Sequence, residues 1–221
     1  MNSQPKSKQY KKKVGRPTNV DLQQRRKKEI LQTATRVFAK NGFAATDVQI
    51  IADRTGVGKG TVYRYFSNKE TLFLGAVDYG MQQLSESVDQ AAAAETDPLK
   101  MIEATIRAYL AFFDRNPDVV ELLIHERAHF RNRKKSTYFV HREANIAPWR
   151  NLCQELIDSG VLRQQSVDQM LDVISDLLYG TMFTNHFSGR KTNLESQSNG
   201  ILSVLFHGIL NEREESSSAE E

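Results

Sequence analysis

The sequence predicts an all-α chain, and three observations carry that prediction. Apolar residues recur at helical spacing over most of the 221 residues. Strand-like runs bounded by hairpin signals are absent. Thr46 to Phe66 reads as two short helices around a tight turn, with Gly56 at the turn. The expected architecture is a three-helix N-terminal domain with a helix-turn-helix, followed by a larger helical domain. The expected segments are a basic flexible arm over 1–19, the helix-turn-helix domain over 20–66, the larger helical domain over 67–213 and an acidic flexible tail over 214–221.

Taken in order, the arm lacks periodicity and is rich in lysine. Lys11, Lys12, Lys13 and Arg16 are suited to phosphates, and Gly15-Arg16-Pro17 to placing one arginine in a narrow minor groove. A plain solubilising tail explains the same residues. The first helix is expected over 21–40, with Ile30, Ala34, Val37 and Phe38 as its buried stripe and Gly42 as its stop. Phe43 reads as a core plug between helices. Thr46 is the expected N-cap of the second helix, which places Ile50, Ile51 and Ala52 on one apolar patch. Val57 opens the third helix, with Val62 and Phe66 inward. Its other residues, Gly58, Lys59, Gly60, Thr61, Tyr63 and Arg64, then face out. Small residues admit a close approach, and the rest donate to phosphates and base edges. A helical hairpin with a wet, basic face is the plainer reading. Ser67 to Glu70 reads as a capping box that starts a long helix, with Lys69 in its first turn, where a positive charge opposes the helix dipole. Leu72, Phe73, Ala76, Val77 and Leu84 continue its apolar face.

Charge is distributed unevenly. Residues 1–75 hold 16 Lys/Arg and 5 Asp/Glu, while the remainder holds 14 and 22. The N-terminal third is therefore the part that attracts phosphate backbones. A membrane surface is the competing partner, but the basic arm has too little apolar content to bind one. No apolar run is long enough to cross a bilayer, and no signal peptide is visible. The single cysteine, Cys153, excludes an intrachain disulfide and fits a reducing compartment.

The stretch from Ile30 to Phe73, ILQTATRVFAKNGFAATDVQIIADRTGVGKGTVYRYFSNKETLF, resembles the DNA-binding domain of the TetR family of transcriptional regulators. The marks are Phe38, NGF, the Thr opening the next helix, IADRTGV, GKGTVYRYF and SNKE. Asp47-Val48-Gln49 departs from the more apolar or Thr/Ser-containing run of many relatives. The resemblance implies a DNA-binding set of Arg16, Thr46, Gly58, Lys59, Gly60, Thr61, Tyr63, Arg64, Tyr65 and Lys69. Within that set it gives Thr46, Tyr63, Tyr65 and Lys69 contacts to phosphate.

Beyond the long helix, Asp97-Pro98 and Asn116-Pro117 mark two helix starts. Ile102, Ile106, Tyr109, Leu110 and Phe113 line the inner face of the first; Val119, Leu122 and Leu123 that of the second. Pro148 is expected to interrupt the segment from Lys135 to Ser159, and Gly160 to end it. Ser166 caps the next helix, Gly189 falls in a break, and a last helix carries Ile201 to Leu210. The final two helices are broadly apolar, which suits a four-helix contact between two subunits. The resemblance implies that homodimer, a double-stranded DNA operator and a small-molecule effector cavity in the C-terminal domain, with cytoplasmic, nucleoid-associated localisation. Candidate cavity residues are Tyr109, Phe113, His125, His129, Tyr138, Trp149, Cys153, Tyr179, Phe183 and His186; each also reads as ordinary core. No cofactor is expected.

His125-Glu126-Arg127-Ala128-His129 matches H-E-x-x-H, the zinc-peptidase pattern with two helical ligands and a general base. No third ligand follows at a diagnostic spacing. The expectation is a ligand-responsive repressor and not an enzyme. The alternatives are a ligand-independent dimeric DNA-binding protein and a zinc-dependent hydrolase.

Overall fold

A computed structural model describes residues 19–188 and 197–209. The expectations for the basic arm with Arg16, for the break at Gly189 and for the acidic tail lie outside the described residues. Ten α-helices follow in order: α1 (Asn19–Ala45), α2 (Val48–Thr55), α3 (Lys59–Tyr65), α4 (Lys69–Ala93), α5 (Pro98–Arg115), α6 (Pro117–His129), α7 (Thr137–Asn145), α8 (Ala147–Asp158), α9 (Val167–Ser188) and α10 (Ser198–Ile209).

Local chemistry sets most of these limits. Gly42 leaves helical geometry at φ 76°, as its place after Asn41 predicts, but one further helical turn resumes up to Ala45. Gly56 closes α2 in the left-handed region at φ 66° and donates its N–H to Ala52 and Asp53 carbonyls. Asp97 caps α5 by accepting from the N–H groups of Leu99 and Lys100. Pro148 separates α7 from α8 by standing in the first turn of α8.

Two caps differ from expectation. Asp47, and not Thr46, caps α2: its carboxylate accepts from Gln49 N at 2.9 Å. Thr46 is only 3% exposed and donates its hydroxyl to Gly42 O at 2.6 Å, closing the broken end of α1. Asn68, and not Ser67, caps α4 by accepting from Thr71 N at 2.8 Å. In both places two neighbouring residues are competent caps, and the entry path of the chain selects the second.

One continuous core runs from the first helix to the last. Val37, Phe38, Ile51, Val62, Phe66 and Phe73 fill the N-terminal unit. Phe43 sits between helices as expected, 5.2 Å from the Phe73 ring and 4.9 Å from Phe130, so aromatic packing ties α1 and α4 to the end of α6. Helix α4 belongs to both parts. Phe73 packs on Phe38 and Phe43 of α1, and Met81 and Leu84 line a pocket of the C-terminal part. Gly80 lets α6 come close, because a Cβ there would lie 3.0 Å from Val119 Cγ1.

Candidate DNA-reading site and interior cavity

Helix α3 is positioned from below. Val62 is fully buried, Phe66 nearly so, and the backbone of Val57 returns to Ala52 O. Gly58, Gly60, Tyr63 and Arg64 are then exposed, with Lys59, Thr61 and Tyr65 half-buried. A Cβ on Gly58 or Gly60 would meet nothing within 4 Å, and neither residue has positive φ. Nothing inside the chain therefore requires glycine at these positions, although Gly60 in a helix costs about 0.5–1 kcal/mol relative to alanine. That leaves room for an outside surface to come close.

The charged groups around α3 are partly held by their neighbours. Lys59 Nζ donates to Asp47 Oδ1 at 2.8 Å. The Gln49 N–H bond, then the Lys59 bond, hold the Asp47 carboxyl below its ordinary range, and Asp47 in turn raises Lys59. The departure at Asp47-Val48-Gln49 thus has a local reason. Asp47 caps the helix, Val48 is buried, and Gln49 donates to Asp53. Lys69 donates to Ala44 O at 2.9 Å and lies 5.0 Å from the Phe43 ring, which seats a cation at the start of α4 beside the end of α1. Arg64 stacks near Tyr65, 5.7 Å from its ring, and is otherwise exposed. Thr46, by contrast, is buried with its hydroxyl turned to Gly42, so in this conformation it offers no surface donor to phosphate.

The second constellation is a partly open cavity of about 160 Å³ between α4, α5, α7, α8 and α9, with exposed Asp89 and Asn145 in its lining. It brings together three of the predicted residues, Tyr109, Tyr138 and Trp149. The Tyr109 and Tyr138 hydroxyls share a hydrogen bond of 2.8 Å. Burial pushes the Tyr109 phenol well above its usual range and Tyr138 to about 12, so both stay protonated. Phe113 and Tyr179 pack behind the pair at 5.1 and 4.6 Å. The sequence reading missed Thr105, His141, Arg142 and Asn145, which also line the cavity. Arg142 binds Asp172 at 2.5 Å, yet its Nε is buried without a hydrogen-bond partner among the described residues, as is Thr105 Oγ1. His141 Nε2 meets Asp78 on α4 at 2.6 Å. The usable signal was HREAN over 141–145, a polar run inside an apolar domain.

Residues 30–76 match the profile of the bacterial regulatory proteins, tetR family. That stretch is a TetR-type N-terminal domain. Over 116 residues it is 34% identical to YerO of Bacillus subtilis, named an uncharacterized HTH-type transcriptional regulator; the match covers 52% of this chain and 40% of that one. It is 26% identical over 196 residues to the fatty acid metabolism regulator protein of the same organism, covering 86% of this chain and all of that one. A solved structure of the fatty acid degradation regulator FadR from Bacillus halodurans shares the fold, with a TM-score of 0.71 at 17% identity over 81% of this chain and 94% of that one.

The remaining predicted positions fall elsewhere. Cys153 is buried, and burial raises its thiol pKa. His186 pairs with Glu121 at 2.8 Å. Phe183 lines a separate open groove between α6 and α9, together with Arg127, Tyr179 and Phe187. His125 and His129 belong to the junction with the N-terminal unit: a Cβ on Gly42 would lie 3.2 Å from the His125 ring, and His129 stacks on Phe43 at 5.5 Å. None of these five lines the cavity.

The H-E-x-x-H reading also fails on geometry. Glu126 is 1% exposed and accepts from Arg133 and from both the N–H and hydroxyl of Thr137, at 2.9 and 2.8 Å. It anchors the 130–136 connection to α6 and is not free to activate water. Among the described residues, no three His, Cys, Asp or Glu side chains are grouped to hold a metal.

Proposed function

We propose that this DNA-binding regulator is a homodimeric repressor that grips a palindromic operator through α3 and releases it when a small molecule fills the cavity beside α4. The observation that carries the reading is the outer face of α3, where two glycines with no internal role flank Lys59 and stand beside exposed Tyr63 and Arg64. Phosphate contacts are assigned to Lys69 and Tyr63, and base readout to Arg64. The proposed division is a DNA-binding domain over 20–66 and an effector-binding and dimerisation domain over 67–213.

Dimerisation is supported by apolar side chains left outside the core on α9 and α10. Val173, Phe187 and Val204 are 57, 68 and 71% exposed, and Gly180 has open space where a Cβ would be. Two copies joined there would carry two recognition helices to successive turns of one duplex. Effector control is supported by α4, which supplies Met81 and Leu84 to the cavity wall and begins at Lys69 beside α3. A ligand that favours one tilt of α4 shifts the population towards mis-spaced recognition helices, and operator affinity falls by the same coupling. Among the described residues no helix is long and apolar enough to cross a membrane. A cytoplasmic, nucleoid-associated protein is the localisation that goes with this reading. One relative is named for fatty acid metabolism, so an effector screen should include fatty acids as well as smaller molecules.

The test is selection of bound sequences from genomic fragments by the full-length protein. Enrichment of a palindrome with half-sites about 10 base pairs apart, or a multiple of that, is expected. Binding no tighter than to random fragments at low salt, without added effector, overturns the reading.

A further inference from the structure

We propose that His141 and Asp78 form a proton-sensitive clip between α7 and α4, through which pH tunes operator binding. The proposal rests on reading α4 as the lever of operator control. His141 Nε2 and Asp78 Oδ1 are 2.6 Å apart, with the imidazole 19% and the carboxylate 49% exposed. His141 lies on α7 and lines the cavity. Asp78 lies on α4 between Phe73, which packs on α1, and Met81, which lines the cavity. Asp78 also borders a groove between α1 and α4, together with Phe66 and Gly75. Gln82 donates to its second oxygen at 2.8 Å, and the neighbouring Tyr79 hydroxyl accepts from Gln32 of α1 at 2.9 Å. The clip therefore fastens a wall of the cavity to the stretch of α4 that seats on the DNA-reading unit.

Histidine is the side chain whose charge changes most readily between pH 5 and 8. Opposite a carboxylate, the charged ring adds Coulombic attraction to the hydrogen bond that the neutral ring already donates. Most of the other charges around it are engaged elsewhere. On its own helix, Arg142 binds Asp172 of α9, and Glu143 binds Lys135. Glu126 of α6 is held at the start of α7 by Arg133 and Thr137. Tyr109 of α5 and Tyr138 are kept neutral by burial, and Asp176 of α9 acts on Tyr138. The parts of α8 and α9 on the cavity lining carry no ionisable side chain. What is left is Asp89 of α4 on the same lining, and Lys27 and Lys28 of α1 along the groove beside Asp78. His186 meets Glu121 in a similar pair, but it joins α6 to α9. A second tie between α7 and α4, from Asn145 to Ser85 at 3.3 Å, holds no titratable group and serves as the control.

The test is a double-mutant cycle on the full-length protein with Asp78→Asn, His141→Gln and the two combined. Urea unfolding is measured at pH 6 and pH 8. Binding of the same proteins to a genomic fragment selected by the wild type is measured at both pH values and one salt concentration. The coupling between the two positions should change the unfolding equilibrium about twofold to fivefold more at pH 6 than at pH 8, the range of a partly exposed ion pair. The ratio of fragment affinities at pH 6 and pH 8 should differ between the wild type and either single variant by about twofold or more. The double variant should match the singles, and Asn145→Ala should keep the wild-type ratio. Coupling that is equal at the two pH values overturns the inference and leaves α4 standing as the lever. A pH-dependent coupling with one affinity ratio across all the proteins overturns both.

Discussion

The outer face of α3 comes from seven consecutive residues, whereas the cavity draws its walls from five helices that span residues 81–178. The first needs only a short helix with two apolar anchors, Val62 and Phe66, which leaves Gly60, Tyr63 and Arg64 turned outward. The second exists only after α4, α5, α7, α8 and α9 have packed. A substitution on α3 should therefore change recognition and leave folding alone. A substitution between the two regions should disturb both.

The largest effect is expected at their junction. Phe73 is fully buried against Phe38, Phe43 and Phe130, and Phe73→Ala should cost about 3–5 kcal/mol. Urea unfolding measures it. A loss under 1 kcal/mol would mean that the two regions are not joined there. Glu126→Ala comes next, at about 2–3 kcal/mol, because three donors lose their acceptor and Arg133, partly exposed, can turn to water. The same unfolding experiment reads it, and a protein of unchanged stability would remove Glu126 as an anchor.

Effects on recognition are smaller and leave stability intact. Arg64→Ala should cost about 1–3 kcal/mol in discrimination between the operator and single-base variants. Unchanged sequence preference in a competition assay would deny Arg64 a base contact. Gly60→Ala separates fold from function most cleanly. It should stabilise the protein by about 0.5–1 kcal/mol, since the new methyl meets nothing, while weakening operator binding. A variant that is both more stable and equally tight would show that DNA never comes close at Gly60. Lys69→Ala should weaken all sequences alike and lower the salt slope of log K by about 1. An unchanged slope rejects a phosphate contact.

The two regions also differed in how far they could be read in advance. The turn at Gly56, the inward pair Val62 and Phe66 and the plug Phe43 were read correctly because each depends on neighbours within a few residues or on a simple apolar period. The limits were less exact: α3 opens at Lys59 and not at Val57, which lies in the turn, and α1 runs to Ala45 and not to Lys40. The cap errors, Thr46 for Asp47 and Ser67 for Asn68, are one-residue displacements between equally competent caps. In the C-terminal part the helices and their inner stripes were also foreseen, yet seven of the ten proposed cavity residues, Phe113, His125, His129, Cys153, Tyr179, Phe183 and His186, do not line it. Aromatic and histidine identity says that a side chain suits a cavity, but not which face of which helix turns towards it.

Sequence alone settled the all-α class, the turn at Gly56 and the basic character of the N-terminal third, because helix periodicity, glycine stereochemistry and charge are properties of short stretches or simple sums. The meeting of Thr105, Tyr109, Tyr138 and Arg142, the burial of Glu126 and the seat of His125 on Gly42 came from the packing of helices far apart in the chain. Such contacts depend on the relative rotation of whole helices, which no local pattern encodes.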